Sequence, residues 1–104
     1  MESRICFYDL VMTTPLGERR GNLKLHWAGD TFDGELTMFT RTLPIQDGRC
    51  SGNHIFFRGN MITPMELLPY SAEGRLYERE LALRISTKLG CYPVTGILME
   101  TRRN

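Results

Sequence analysis

Lysine is nearly missing from this chain: of its thirteen basic residues, only Lys24 and Lys88 are not arginine. Histidine, tryptophan and cysteine are scarce too, with two, one and three copies in 104 residues. The two histidines, His26 and His54, form no H-x-H or H-E-x-x-H spacing, so a histidine-rich metal site is not expected. The cysteines, Cys6, Cys50 and Cys91, lie too far apart for a C-x-x-C motif, and an odd number does not close a disulfide framework. Buried free thiols in a reducing compartment are expected instead. Charge of one sign is lacking, because thirteen basic and twelve acidic residues leave a formal net charge of +1. The only basic runs are Arg19-Arg20 and Arg102-Arg103, which speaks against nucleic acid as a partner. No stretch approaches the roughly 20 apolar residues of a membrane span, so no membrane partner is expected. The opening Met-Glu-Ser-Arg has neither the apolar run nor the cleavage site of a signal peptide, and a cytoplasmic location is expected.

What remains is a chain of single-domain length with ordinary apolar content and ten scattered glycines, a pattern of many tight turns. Arg4 to Thr14 is rich in aromatic and β-branched residues and ends at Pro15 and Gly17, as a strand running into a turn does. From Arg20 to Ala28, Leu23, Leu25 and Trp27 alternate with Lys24 and His26. After Gly29-Asp30, Phe32, Gly34, Leu36 and Met38 alternate with Asp33, Glu35 and Thr37, which makes this the clearest hairpin in the chain. A fourth strand, Leu43 to Cys50, is opened by Pro44 and interrupted by Asp47-Gly48, the mark of a bulge or an edge. His54 to Met61 is a fifth strand, with aromatics on both faces. A sixth, irregular one runs from Met65 through Tyr70 to Leu76.

Tyr77 to Lys88 contains good helix formers. As a helix it would scatter Leu76, Tyr77, Leu81, Leu83 and Ile85 around its circumference. As a strand it puts Leu81, Leu83 and Ile85 on one face and Glu80, Arg84 and Ser86 on the other, and the strand is preferred. Cys91 to Arg102 is the last strand. The fold class expected is all-β: about eight antiparallel strands, joined by short connections in an up-and-down meander that closes into a small barrel across residues 1–104. Leu23, Leu25, Trp27, Leu36, Met38, Leu81, Leu83 and Ile85 are expected to form its core.

The order of turn motifs carries a resemblance. Thr14-Pro15-Leu16-Gly17 precedes Gly21-Asn22-Leu23 and Gly29-Asp30-Thr31-Phe32-Asp33-Gly34. Gly52-Asn53-His54-Ile55-Phe56-Phe57, Tyr70-Ser71-Ala72-Glu73-Gly74 and Gly90-Cys91-Tyr92-Pro93-Val94-Thr95-Gly96 follow. The series resembles the small bacterial calycin-like (lipocalin-like) β-barrel domains. That resemblance implies a closed barrel and leaves function open, because barrels of this kind include carriers, a few enzymes and domains of no assigned role.

The chain has no Gly-x-Ser-x-Gly elbow, P-loop or G-x-G-x-x-G, and no cofactor is expected. Asp30 and Asp33 flank a turn without the other positions of a calcium loop. Cys91 has no histidine or lysine neighbour to activate it. The one constellation of interest is Phe56, Arg58, Tyr70 and Arg84. On one side of the sheet, at a barrel mouth, they would suit a small acidic or aromatic ligand. The first reading of function is a non-enzymatic barrel that binds a small molecule or docks on a partner. The second is a barrel enzyme of the cyclase, isomerase or decarboxylase kind, and the third a structural homo-oligomer. A homodimer is expected, from the excess of arginine over lysine and from Phe39 and Tyr92 taken as exposed aromatics.

Overall fold

The computed structural model describes residues 3–103. Eight strands succeed one another: β1 (Ser3–Thr14), β2 (Gly17–Ala28), β3 (Thr31–Met38), β4 (Arg41–Ser51), β5 (His54–Ile62), β6 (Leu67–Leu76), β7 (Glu80–Thr87) and β8 (Gly90–Arg103). Every strand pairs antiparallel with its chain neighbours, and β8 returns to pair with β1, so the meander closes into a barrel. Closure leaves no strand edge unpaired, and β4 is therefore bulged without being an edge.

Alternation sets the inside of the barrel. Leu23, Leu25 and Trp27 of β2 are buried, while Lys24 and His26 between them are only half-buried. In β7, Leu81, Leu83 and Ile85 are buried and Glu80, Ala82 and Arg84 exposed, which is the expected strand parity. The strand starts at Glu80, because Tyr77 to Arg79 form a turn in which the Tyr77 N–H donates to the Glu80 carbonyl at 2.8 Å. The sixth strand is regular from Leu67 to Leu76. Pro64 and Met65 belong to the preceding turn, while Pro69 and Gly74, which made the segment look irregular in sequence, lie within the strand. All eight expected core residues are buried.

The interior is filled by apolar side chains from every strand, and no described charged residue is buried among them. Four aromatics form its backbone. Trp27 and Phe32 have ring centres 4.7 Å apart, Phe32 and Phe57 6.0 Å, and Phe57 and Tyr70 6.2 Å, all tilted or edge-on. Fully burying one such side chain contributes on the order of 1.5–3 kcal/mol. Eight strands enclose a space that side chains just fill.

So tight a curve needs backbone that side chains would obstruct. Gly34 has φ of +152°, and a Cβ there would stand 1.8 Å from the Lys24 carbonyl oxygen. A Cβ on Gly48 would stand 2.4 Å from the Phe32 carbonyl oxygen. The β3–β4 register shifts between Phe32 and Glu35, and the β4–β5 register between Gln46 and Arg49, with Asp47 at φ of +53°. These bulges bend the sheet around the aromatic row.

Two sequence expectations need correction. Phe39, in the turn between β3 and β4, and Tyr92, early in β8, are half-buried because each packs against the core. Of the thiols, Cys6 is buried and Cys50 half-buried, but Cys91 is exposed, since it alternates outward between Gly90 and Tyr92 on β8.

Candidate functional site

The structure separates the four expected site residues. Tyr70 lies on the buried parity of β6, between Leu68 and Ala72. Its register partner is Gly59, whereas Arg58 pairs with Ser71. Phe56, Arg58 and Arg84 lie on the other parity and face outward. The barrel-mouth arrangement is therefore not assembled: a single alternation step places Tyr70 in the core and the other three on the wall.

The outward three do share one face. Across β4 to β7 the register aligns Arg49, Phe56, Glu73 and Arg84 in a row. The Arg49 guanidinium carbon lies 4.9 Å from the centre of the Phe56 ring, a cation–π stack. One pleat along, Arg58 pairs through Nε with the Asp47 carboxylate. His54 approaches Glu73 at 3.8 Å, and Arg75 donates to the Asn53 side-chain oxygen at 3.1 Å. Thr31, Asp47, Gly48, Arg49, Phe56 and Arg58 border an open depression of about 540 Å³. Phe32 also borders it, because Gly48 adds no side chain above that ring.

Chemically this face offers guanidinium forks around a half-buried phenyl ring, suited to carboxylates and flat aromatic groups. The tyrosines nearest to it in kind lie inside the barrel and stay protonated at neutral pH. Burial, with a smaller contribution from Cys6 that Arg4 opposes, pushes Tyr8 up to about 12. Burial alone raises Tyr70. The Cys50 thiol is raised by burial and then by the Asp30 carboxylate, against Arg4, which suppresses its nucleophilic form. Among the described residues no group of three His, Cys, Asp or Glu converges on a metal position.

Sequence reasoning passed over Arg49, Asp47, His54 and Glu73. The Asp47-Gly48 interruption was a usable signal, since a bulge re-aims the residues on either side of it. The chain matches no protein-family model, no curated protein and no solved structure.

Proposed function

We propose that this protein is a non-enzymatic docking module, a bacterial calycin-like barrel working in the cytoplasm. It uses its outer wall where larger barrels use a cavity. The observation that carries this reading is the interior, packed by apolar side chains from all eight strands. A space so filled holds no ligand, and recognition passes to the surface. The free thiols, one of them exposed, suit a reducing compartment.

The docking face is the β4–β7 wall, where Arg49 stacks on Phe56, Arg58 lies one pleat along, and Arg84 stands two strands away beyond Glu73. Its partner is an acidic segment carrying an aromatic residue, with carboxylates replacing Asp47 on Arg58 and the ring lying on Phe56. The opposite wall serves a homodimer. There Ile97 and Met99 of β8 are exposed, and half-buried Phe7 and Val11 of β1 flank Asp9, the register partner of Ile97.

A glutamate–tyrosine copolymer peptide is a suitable probe. Titrated into the purified protein, it should bind in a salt-sensitive manner, and the Arg49→Ala/Arg58→Ala double variant should lose at least about tenfold in affinity with its melting temperature retained. Native mass spectrometry of the same sample should show dimers without a retained small molecule. A stoichiometric small-molecule adduct, or unchanged peptide binding in the double variant, overturns the reading.

A further inference from the structure

In an up-and-down barrel the turns alternate between the two ends. The turns at 15–16, 39–40, 63–66 and 88–89 therefore share one end. Three of them carry a large apolar side chain at the tip: Leu16, Met65 and Leu89 are 83, 88 and 60% exposed. Phe39 stands in the fourth, half-buried.

These three tips are built alike. In Thr14-Pro15-Leu16-Gly17 the Thr14 hydroxyl accepts from the Leu16 N–H at 3.2 Å and donates to the Gly17 carbonyl at 2.7 Å. Thr63 does the same with the Met65 N–H at 3.2 Å and the Glu66 carbonyl at 3.0 Å. Thr87 repeats it with the Leu89 N–H at 3.0 Å and the Gly90 carbonyl at 3.1 Å. A threonine that braces its own turn fixes the third residue pointing away from the barrel. A solvent-facing turn needs no leucine or methionine there, and the same choice recurs on three separate turns of one end. The fourth turn is strained, with Phe39 at φ of +55° and Thr40 at +62°, where glycine or asparagine would be relaxed.

The charge around the tips has a small basic excess. Arg19, Arg20, Arg41 and Lys88 lie within four residues of a tip, against Glu18, Glu35 and Glu66. Lys88 also ties two tips together through Glu66 at 2.6 Å. We infer that this end of the barrel is a peripheral membrane-docking crown, whose apolar tips enter the headgroup–acyl boundary of an anionic lipid surface while the arginines behind them meet phosphates.

Lipid is the occupant favoured over protein by the layout. The tips are separate projections spread over a cross-section of about 23 × 21 Å, and they form no continuous patch. A folded partner would need a matching pocket for each, whereas acyl chains close around any of them. The tips also mix leucine, methionine and phenylalanine, three different shapes, which a fluid phase tolerates. The lack of a membrane-spanning run has no bearing on contact of this kind, because peripheral insertion needs none.

Flotation of the full chain with liposomes of three parts phosphatidylcholine to one part phosphatidylserine tests this. The protein should float with these vesicles, less so at high salt, and far less with phosphatidylcholine alone. Leu16→Ser, Met65→Ser and Leu89→Ser, all at exposed positions, should each weaken partitioning about tenfold with the melting temperature unchanged. Arg49→Ala/Arg58→Ala should float like the wild type, which separates this surface from the β4–β7 face. Absence of flotation, flotation that the tip substitutions do not alter, or tip-dependent self-association without vesicles overturns the proposal.

Discussion

The hydroxyl of Tyr70 occupies the space that a side chain on Gly59 would enter: a Cβ there would stand 2.9 Å from the phenolic oxygen. The two residues are register partners on β5 and β6, and both face the interior. The hydroxyl is buried and has no hydrogen-bond partner there.

Opposite outcomes follow for the two positions. Gly59→Ala should destabilise by about 1–3 kcal/mol, because the ring that would have to yield is packed on Phe57. Tyr70→Phe removes an unsatisfied buried oxygen and keeps the ring, and should be neutral or stabilising by up to about 1 kcal/mol. Denaturant midpoints of the two variants check both. A loss of stability in Tyr70→Phe would mean that the hydroxyl has a partner after all.

Alkali should weaken the barrel through its buried phenols. Tyr8 and Tyr70 both have raised ionisation constants, from burial first. The unfolded chain therefore releases these protons near pH 10, while the barrel still holds them. As the pH rises past about 10 the unfolded chain is the one that loses protons, so the contribution of these phenols to stability is flat below that pH and falls above it. Tyr70→Phe has one such proton fewer, and its advantage over the wild type should widen between pH 9 and 11.5 in thermal melts. A constant difference across that range would refute the linkage.

Strain at the Phe39–Thr40 turn gives a third expectation. Thr40 is β-branched at positive φ, a conformation that costs of order 1–3 kcal/mol. Thr40→Gly should raise stability by about 1 kcal/mol, less than the full strain because glycine loses more freedom on folding. The measurement is again a denaturation midpoint, and a destabilised variant would show that the threonine side chain stabilises the turn by more than its backbone costs.

Most of this barrel was legible because alternation is a direct record of burial. Leu23, Leu25 and Trp27, or Leu81, Leu83 and Ile85, have an inside and an outside that no other arrangement satisfies. Most turns announced themselves through glycine, proline or asparagine, whereas Phe39-Thr40 and Tyr77 to Arg79 carry none of these. The candidate site was not legible, because β5 places Phe56 outside and Phe57 inside, so residue type carries no parity there. Tyr70 reads equally well as a wall or core residue until its partner Gly59 is known. The apolar tips were hidden for a different reason. Thr14-Pro15-Leu16-Gly17 is a turn by composition, and only its recurrence at one end of a closed barrel gives Leu16 a meaning.

Seven of the barrel's eight strand pairings are hairpins with connections of two to four residues, and each can zip from its own turn. The β1–β8 pairing is the exception: it joins Arg4 to Arg103, the two extremes of the described chain. A cylinder assembled this way has one seam, and almost the whole chain must be ordered before that seam can close. Until then β1 and β8 are open edges, and the exposed Ile97 and Met99 lie on one of them. A chain whose seam is unclosed is thus a sheet with two adhesive margins, and the β1–β8 pairing covers both from other molecules.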